Sequence, residues 1–203
     1  MEITETTRTD IINFFMKKFM YETYLEIGVR DVNLNFNKII ANEKIGVDPN
    51  MNDVQFTMTS DVFFMQNKKM FDLIFIDGLH ESGQVYRDIH NSLNALNVGG
   101  TIIMHDCNPT KEIIQLVPQI QAGEWTGDCW KAFVRFRCET SNYNMFVINT
   151  DYGVGIIKES NKKLVPLTIK DSLTYDNLTK NRKEWLNLID CENIEMTLNK
   201  FEE

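Results

Sequence analysis

Apolar positions along this chain alternate between two rhythms. From Ile11 to Met20, the residues Ile11, Ile12, Phe15, Phe19 and Met20 recur at helical spacing, and the following YETYLEIGV is a short β-rich run carrying Glu26 and Gly28. Leu34, Phe36, Ile39 and Ile40 then predict a second amphipathic helix, and KIGVDPN a second strand stopped at Asp48-Pro49. A third, weaker strand over VQFTM ends at Ser60-Asp61, which would cap a helix through VFFMQNKK. FDLIFID is nearly continuous in apolar residues and is bounded by Gly78, as expected of a strand buried on both faces at the centre of a parallel sheet. Val85, Ile89, Leu93 and Leu96 form one helical stripe, and Gly99-Gly100 break it before the buried strand TIIMHD.

This alternation through five strands predicts a doubly wound α/β domain with a mostly parallel sheet. Beyond Pro109, EIIQLVPQIQ reads as helical and EWTGDCWKAFVRFR as a loop followed by a helix. NMFVINT and GVGIIKE read as two closing strands in a hairpin, which brings the sheet to seven strands. The tail from Leu178 through Trp185, Leu188 and Ile189 has helical spacing and is expected on an outer face of the sheet.

Composition narrows the partners. The chain has 203 residues, 43% of them hydrophobic, which suits one domain over 1–203 with a single core. With 21 Lys and Arg against 29 Asp and Glu the formal charge is −8, which repels polyphosphate and argues against nucleic-acid partners. No apolar run reaches the roughly 20 residues of a membrane helix, and the polar start MEITETTRTD lacks the cationic segment of a secretory signal. A soluble, cytoplasmic protein with no membrane partner is the expectation, with oligomeric state left open. Cys107, Cys129, Cys138 and Cys191 include no C-x-x-C pair and read as reduced thiols.

Open parallel sheets bind ligands outside the carboxyl ends of their strands, so polar residues there carry weight. This chain places Glu26, Asp48, Asp61, Asp77 and the pair His105-Asp106 at such ends. The pieces FDLIFIDGLH, GGTIIMHD and WTGDCWK resemble class I S-adenosylmethionine (SAM) methyltransferases, and within them the methyltransferase-24 group of small-molecule and sugar O-methyltransferases. The resemblance runs from about Tyr24 to Ile157 and implies a Rossmann-like sheet with helices on both faces. It further implies that Glu26 and Gly28 open the cofactor loop, that Asp48 bonds the ribose hydroxyls, and that Ser60 and Asp61 reach the adenine, with Asp77 beside the cofactor. EIGVRDVNLNF keeps only Gly28 of the usual glycine-rich loop, and the G-x-G-x-x-G of a nicotinamide site is absent.

Asp77, His80, His105 and Asp106 should converge where the sulfonium methyl points. In related O-methyltransferases, acidic or amide groups at these strand ends hold a magnesium-class ion, which here would fall to Asp77 and Asp106. His105-Asp106 offers fewer hard oxygen ligands than that site requires, so the favoured reading is acid–base catalysis by His105 or His80 with Asp106 in support. Trp125, Gly127, Asp128, Trp130 and Lys131 lie in a substrate-covering segment at about 108–140, with aromatic faces suited to sugar rings. His90 falls off the Val85-Ile89-Leu93 stripe and reads as a surface residue.

The expected activity is methyl transfer from SAM to a hydroxyl of a small polyol, sugar or glycan. The alternatives are a non-catalytic SAM- or nucleotide-binding partner subunit and a hydroxylase-like relative on the same fold.

Overall fold

The computed structural model describes residues 6–161 and 163–202. Helix α1 (Arg8–Lys18) opens on a capping box, in which Thr7 and Asp10 satisfy each other's backbone N–H groups. There follow β1 (Thr23–Ile27), β2 (Glu43–Val47), α2 (Ser60–Gln66), β3 (Phe71–Ile76), α3 (Ser82–Asn94) and β4 (Leu96–Met104). The chain continues through α4 (Cys129–Glu139), β5 (Tyr143–Ile148), β6 (Val154–Glu159), α5 (Tyr175–Leu186), β7 (Leu188–Ile189) and α6 (Ile194–Glu202).

One seven-stranded sheet runs β2-β1-β3-β4-β6-β5-β7. β2, β1, β3 and β4 pair in parallel, β6 is antiparallel to both β4 and β5, and β7 joins β5 in parallel. The expected doubly wound sheet with a closing antiparallel hairpin is therefore present. Alternate side chains of each strand feed two cores. Leu25, Ile27, Ile74, Ile76, Ile102 and Met104 pack under α2 to α5, whereas Tyr24, Leu73, Phe75, Ile103 and Phe146 pack under α1 and α6. Helices on both faces bury such side chains completely, and each one stabilises by about 1.5–3 kcal/mol.

Five expected features differ. VQFTM forms no strand: Phe56 makes one parallel bridge to Val47, and the side-chain oxygen of Gln55 takes the Gly46 N–H at 2.7 Å in place of a backbone carbonyl. The seventh strand is instead β7, because α5 stops where Asn187 turns left-handed at φ 46° and frees Leu188–Ile189 to pair with β5. The segments read as helices around Leu34–Ile40 and EIIQLVPQIQ contain only single 3-10 turns, Phe36–Lys38 and Ile113–Gln115. Finally, β4 runs straight through Gly99-Gly100, which absorb a register shift against β3. Within α1 the buried stripe is Ile11, Ile12, Phe15 and Met16; Met20, beyond the helix at φ 54°, is 85% exposed.

Candidate active site

Register places the site. Val47, Ile27, Ile76 and Met104 lie in one transverse row across β2, β1, β3 and β4. The next residue of each strand therefore leaves the sheet on the same edge, and those residues are Asp48, Gly28, Asp77 and His105. Gly28 is at φ +92°, and a Cβ there would collide with the Asp77 carbonyl, so this glycine lets the β1 and β3 loops touch.

Asp77, His80, His105 and Asp106 do come together. His80 Nε2 lies 3.3 Å from Asp77 Oδ1, and its Nδ1 lies 3.2 Å from Asp106 Oδ2 and from the Trp125 carbonyl. His105 Nδ1 lies 3.1 Å from Asp106 Oδ1 and 3.4 Å from Asp77 Oδ1.

Sequence reasoning missed two partners, Arg8 and Asp151. Arg8 Nη1 donates to Asp77 Oδ2 at 2.8 Å and sits 3.0 Å from His105 Nδ1, while its Nε and backbone N–H both donate to Asp151 Oδ2 at 3.0 Å. Asp151 Oδ1 approaches His105 Nε2 at 3.2 Å, off the hydrogen-bonding axis, so this contact is an ion pair rather than a hydrogen bond. The signals were faint but present. A cation in the first turn of α1 opposes the helix dipole and so calls for an acid, and DYG at a hairpin tip puts an aspartate where a left-handed turn is needed.

Electrostatics follow from this packing. Burial disfavours ionising Asp77, but His105, His80 and Arg8 outweigh it and hold its carboxyl well below the usual range. Burial likewise disfavours charge on His105, yet Asp77, Asp106 and Asp151 raise its pKa well above that of ordinary histidine. His80 is raised too, the hydrogen bond to Asp77 and the Asp106 charge overcoming burial. Asp151 is depressed to about 2, because His105 and Arg8 override burial. The His80 side chain is 21% exposed and that of His105 4%. His80 is the more accessible of the two imidazoles, and each of them faces both Asp77 and Asp106.

The remaining expected residues divide. Asp48 is half-buried at the end of β2; its Oδ1 takes the Asn50 N–H at 2.7 Å, and its other oxygen bonds none of the described residues. Ser60 and Asp61 stand in the first turn of α2, capped by Thr59 rather than by either of them, and Gln84 Nε2 lies 3.2 Å from Ser60 Oγ and from Asp61 Oδ1. Glu26 is 3% exposed and held from within the protein, accepting from Tyr24 Oη at 2.6 Å and Asn35 Nδ2 at 2.9 Å. Burial pushes it up to about 7 although both hydrogen bonds pull the other way.

In the covering segment, Trp125 stacks on His80 with ring centroids 5.2 Å apart, and its indole N–H is fixed on the Leu116 carbonyl. Asp128, the N-cap of α4, accepts the Ser82 N–H and hydroxyl at the start of α3 and so ties the two helices, while Lys131 pairs with it at 3.1 Å from within α4. Trp130 requires a correction. It is fully buried, stacks on Trp185 and donates to Gln115, and so it belongs to the core rather than to a substrate surface. His90 is exposed, as expected.

Among the described residues, Asp77, His80 and Asp106 offer three ligand atoms within 4.8 Å of one another. The fit to a magnesium-class ion nevertheless fails, because each carboxylate oxygen of that trio already faces a nitrogen of Arg8, His80 or His105. A groove of about 510 Å³ lined by Asn13, Phe14, Lys17, Tyr21 and Ile40 lies at the amino ends of the strands, away from this row.

The fold is the Rossmann-like α/β sheet shared by solved O-methyltransferases. Residues 31–107 match the model of the methyltransferase-24 family, described as a methyltransferase domain. Among solved structures the chain is similar to the O-methyltransferase TomG from Streptomyces achromogenes, involved in tomaymycin synthesis and solved with SAM (8% identity, TM-score 0.55, covering 73% of this chain and 78% of that one). It is also similar to the methyltransferase PaMTH1 from Podospora anserina, bound to S-adenosylhomocysteine (SAH), at 15% identity and TM-score 0.53, covering 76% and 78%. A third is the O-methyltransferase from Bacillus cereus in complex with SAH, at 12% identity and TM-score 0.50, covering 77% and 84%. At such identities the likeness is one of fold. No curated protein matches the chain, and no helix among the described residues is long and apolar enough to cross a membrane.

Proposed function

We propose that this chain transfers a methyl group from SAM to an oxygen of a small hydroxylated acceptor, with polyols, sugars and glycans as the first class to test. The observation that carries the reading is the transverse row that delivers Gly28, Asp48, Asp77 and the His105-Asp106 pair to one edge of the sheet. The SAM- and SAH-bound neighbours on the same fold support it.

Asp48 suits a ribose diol, because one carboxylate oxygen remains available to accept from hydroxyls while the other fixes the turn. Ser60 and Asp61, steadied by Gln84, would reach the adenine amine, with Glu26 and Gly28 shaping the loop between. When bound, SAM supplies an electrophilic methyl carbon and leaves as the thioether SAH. In its neutral form His80 is the base for the acceptor hydroxyl, and Asp77 and Asp106, which face its two ring nitrogens, orient the imidazole. Trp125, stacked on His80, excludes water from that side and offers an apolar face to the acceptor.

Calorimetric titration with SAH tests the cofactor half. The parent should bind, and Asp48→Ala should weaken binding by roughly tenfold to a hundredfold, the cost of losing a charge-assisted hydrogen bond. No heat of binding in the folded parent would sink the reading.

A further inference from the structure

All six carboxylate oxygens of Asp77, Asp106 and Asp151 lie within 3.4 Å of a nitrogen belonging to Arg8, His80 or His105. Three aspartates meeting at strand ends would ordinarily invite a hard divalent cation, since carboxylate oxygens are its preferred ligands. Here the first turn of α1 carries a guanidinium into that place.

Arg8 bridges two of the three acids. Its Nη1 takes Asp77 Oδ2 at 2.8 Å, and its Nε takes Asp151 Oδ2 at 3.0 Å. The backbone secures this position twice over: the Arg8 N–H also binds Asp151 Oδ2, and the Thr150 hydroxyl donates to the Thr6 carbonyl at 2.5 Å. The hairpin tip that presents Asp151 holds both Asp151 and Tyr152 at positive φ, and Asp106 opposite is also at positive φ. Such conformations cost energy in non-glycine residues and persist where surrounding contacts impose them. The tip is pressed onto the segment after β4 by hydrogen bonds from the Cys107 and Asn108 N–H groups to the Gly153 and Tyr152 carbonyls. The acids are therefore fixed around the guanidinium rather than splayed to accept an ion.

We propose that Arg8 is the resident counter-cation of this acidic corner, occupying the electrostatic place of a divalent metal, so that the native chain holds its aspartates in position without one. Arg8 is thus a positioning residue for Asp77. The inference concerns the corner assigned to methyl transfer above, but its test reads ion binding alone, so it can fail while SAH still binds, and the reverse.

Mn²⁺ serves as the probe, with free ion followed by electron paramagnetic resonance on the full chain. The parent should leave Mn²⁺ free up to about 0.1 mM, within the range where open carboxylate sites are occupied. Arg8→Met keeps the apolar stem, removes the charge and exposes Asp77 Oδ2 and Asp151 Oδ2. It should bind one Mn²⁺ at least about tenfold more tightly than the parent, as expected when a unit positive charge is removed a few ångströms from a dication site. Adding Asp77→Asn to Arg8→Met should abolish that gain. Tight stoichiometric Mn²⁺ binding by the parent would overturn the proposal, and this measurement needs no variant to fold. A folded Arg8→Met protein with no gain in affinity would overturn it equally.

Discussion

Replacing Glu26 by glutamine should make the protein more stable above neutral pH and leave it nearly unchanged in mild acid. Glu26 is buried against Tyr24 and Asn35, and its carboxyl is pushed up from 4.5 to about 7, chiefly by burial. A raised pKa means that the folded state keeps a proton the unfolded chain has already released. Stability is therefore greatest below about pH 4.5 as far as this group is concerned, falls as pH rises through the window from 4.5 to about 7, and levels off above it. The shift corresponds to roughly 3 kcal/mol at 1.36 kcal/mol per unit. Glutamine accepts the same hydrogen bonds without ionising, at a cost of about 1 kcal/mol for an amide N–H left without a partner. The net expectation is a gain of about 2 kcal/mol for Glu26→Gln at pH 8, or roughly 4–8 °C in Tm for a chain of this size. Urea unfolding of parent and variant between pH 5 and 8.5 gives the difference directly. A difference that stays constant across that range within about 0.5 kcal/mol would refute the reasoning, since no ionisation would then distinguish the two side chains.

Two further outcomes concern the same edge of the sheet. Gly28→Ala must place a Cβ against the Asp77 carbonyl at φ +92°, so it should cost about 3 kcal/mol or more in chemical denaturation, and a loss under about 1 kcal/mol would show that the two loops part easily. His80→Gln should lower kcat about a hundredfold or more, with SAH affinity little changed, once an accepted hydroxyl substrate is in hand; a variant with parental kcat would remove His80 as the base.

The parallel half of the fold was legible because FDLIFID and TIIMHD are buried on both faces and carry that fact as unbroken apolar runs. Elements that lean on side chains or on neighbours were not. The edge bridge at Phe56 is completed by a glutamine side chain, and the two residues of β7 follow a helix whose spacing they continue. Within the site, strand-end position was sufficient to single out Asp48, Asp77, His105 and Asp106, since parallel register fixes where consecutive strands end. Trp130 shows the limit of that logic: an aromatic in a covering segment faces inward or outward according to the helix phase, and the phase of α4 turns it into the core against Trp185.

Arg8 and Asp151 are separated by 143 residues, and neither has a sequence neighbour that announces its partner. Their meeting has a consequence for how the site is built. The Asp151 carboxylate takes the first backbone N–H of α1, one of the donors every helix leaves unpaired at its start, and in the same contact neutralises a cation that the helix dipole disfavours there. Two local costs, an arginine at a helix N-terminus and an aspartate at positive φ, are thus offset by one interaction that exists only when the first helix and the last hairpin are both docked on the sheet. Asp77 and His105 depend on that interaction in turn, because Arg8 Nη1 lies within 3.0 Å of both. The chemistry of the corner is therefore coupled to the closure of the whole fold. Loosening α1 should disorder Asp77 and His105 before it disturbs Asp48, which is anchored by its own turn on β2.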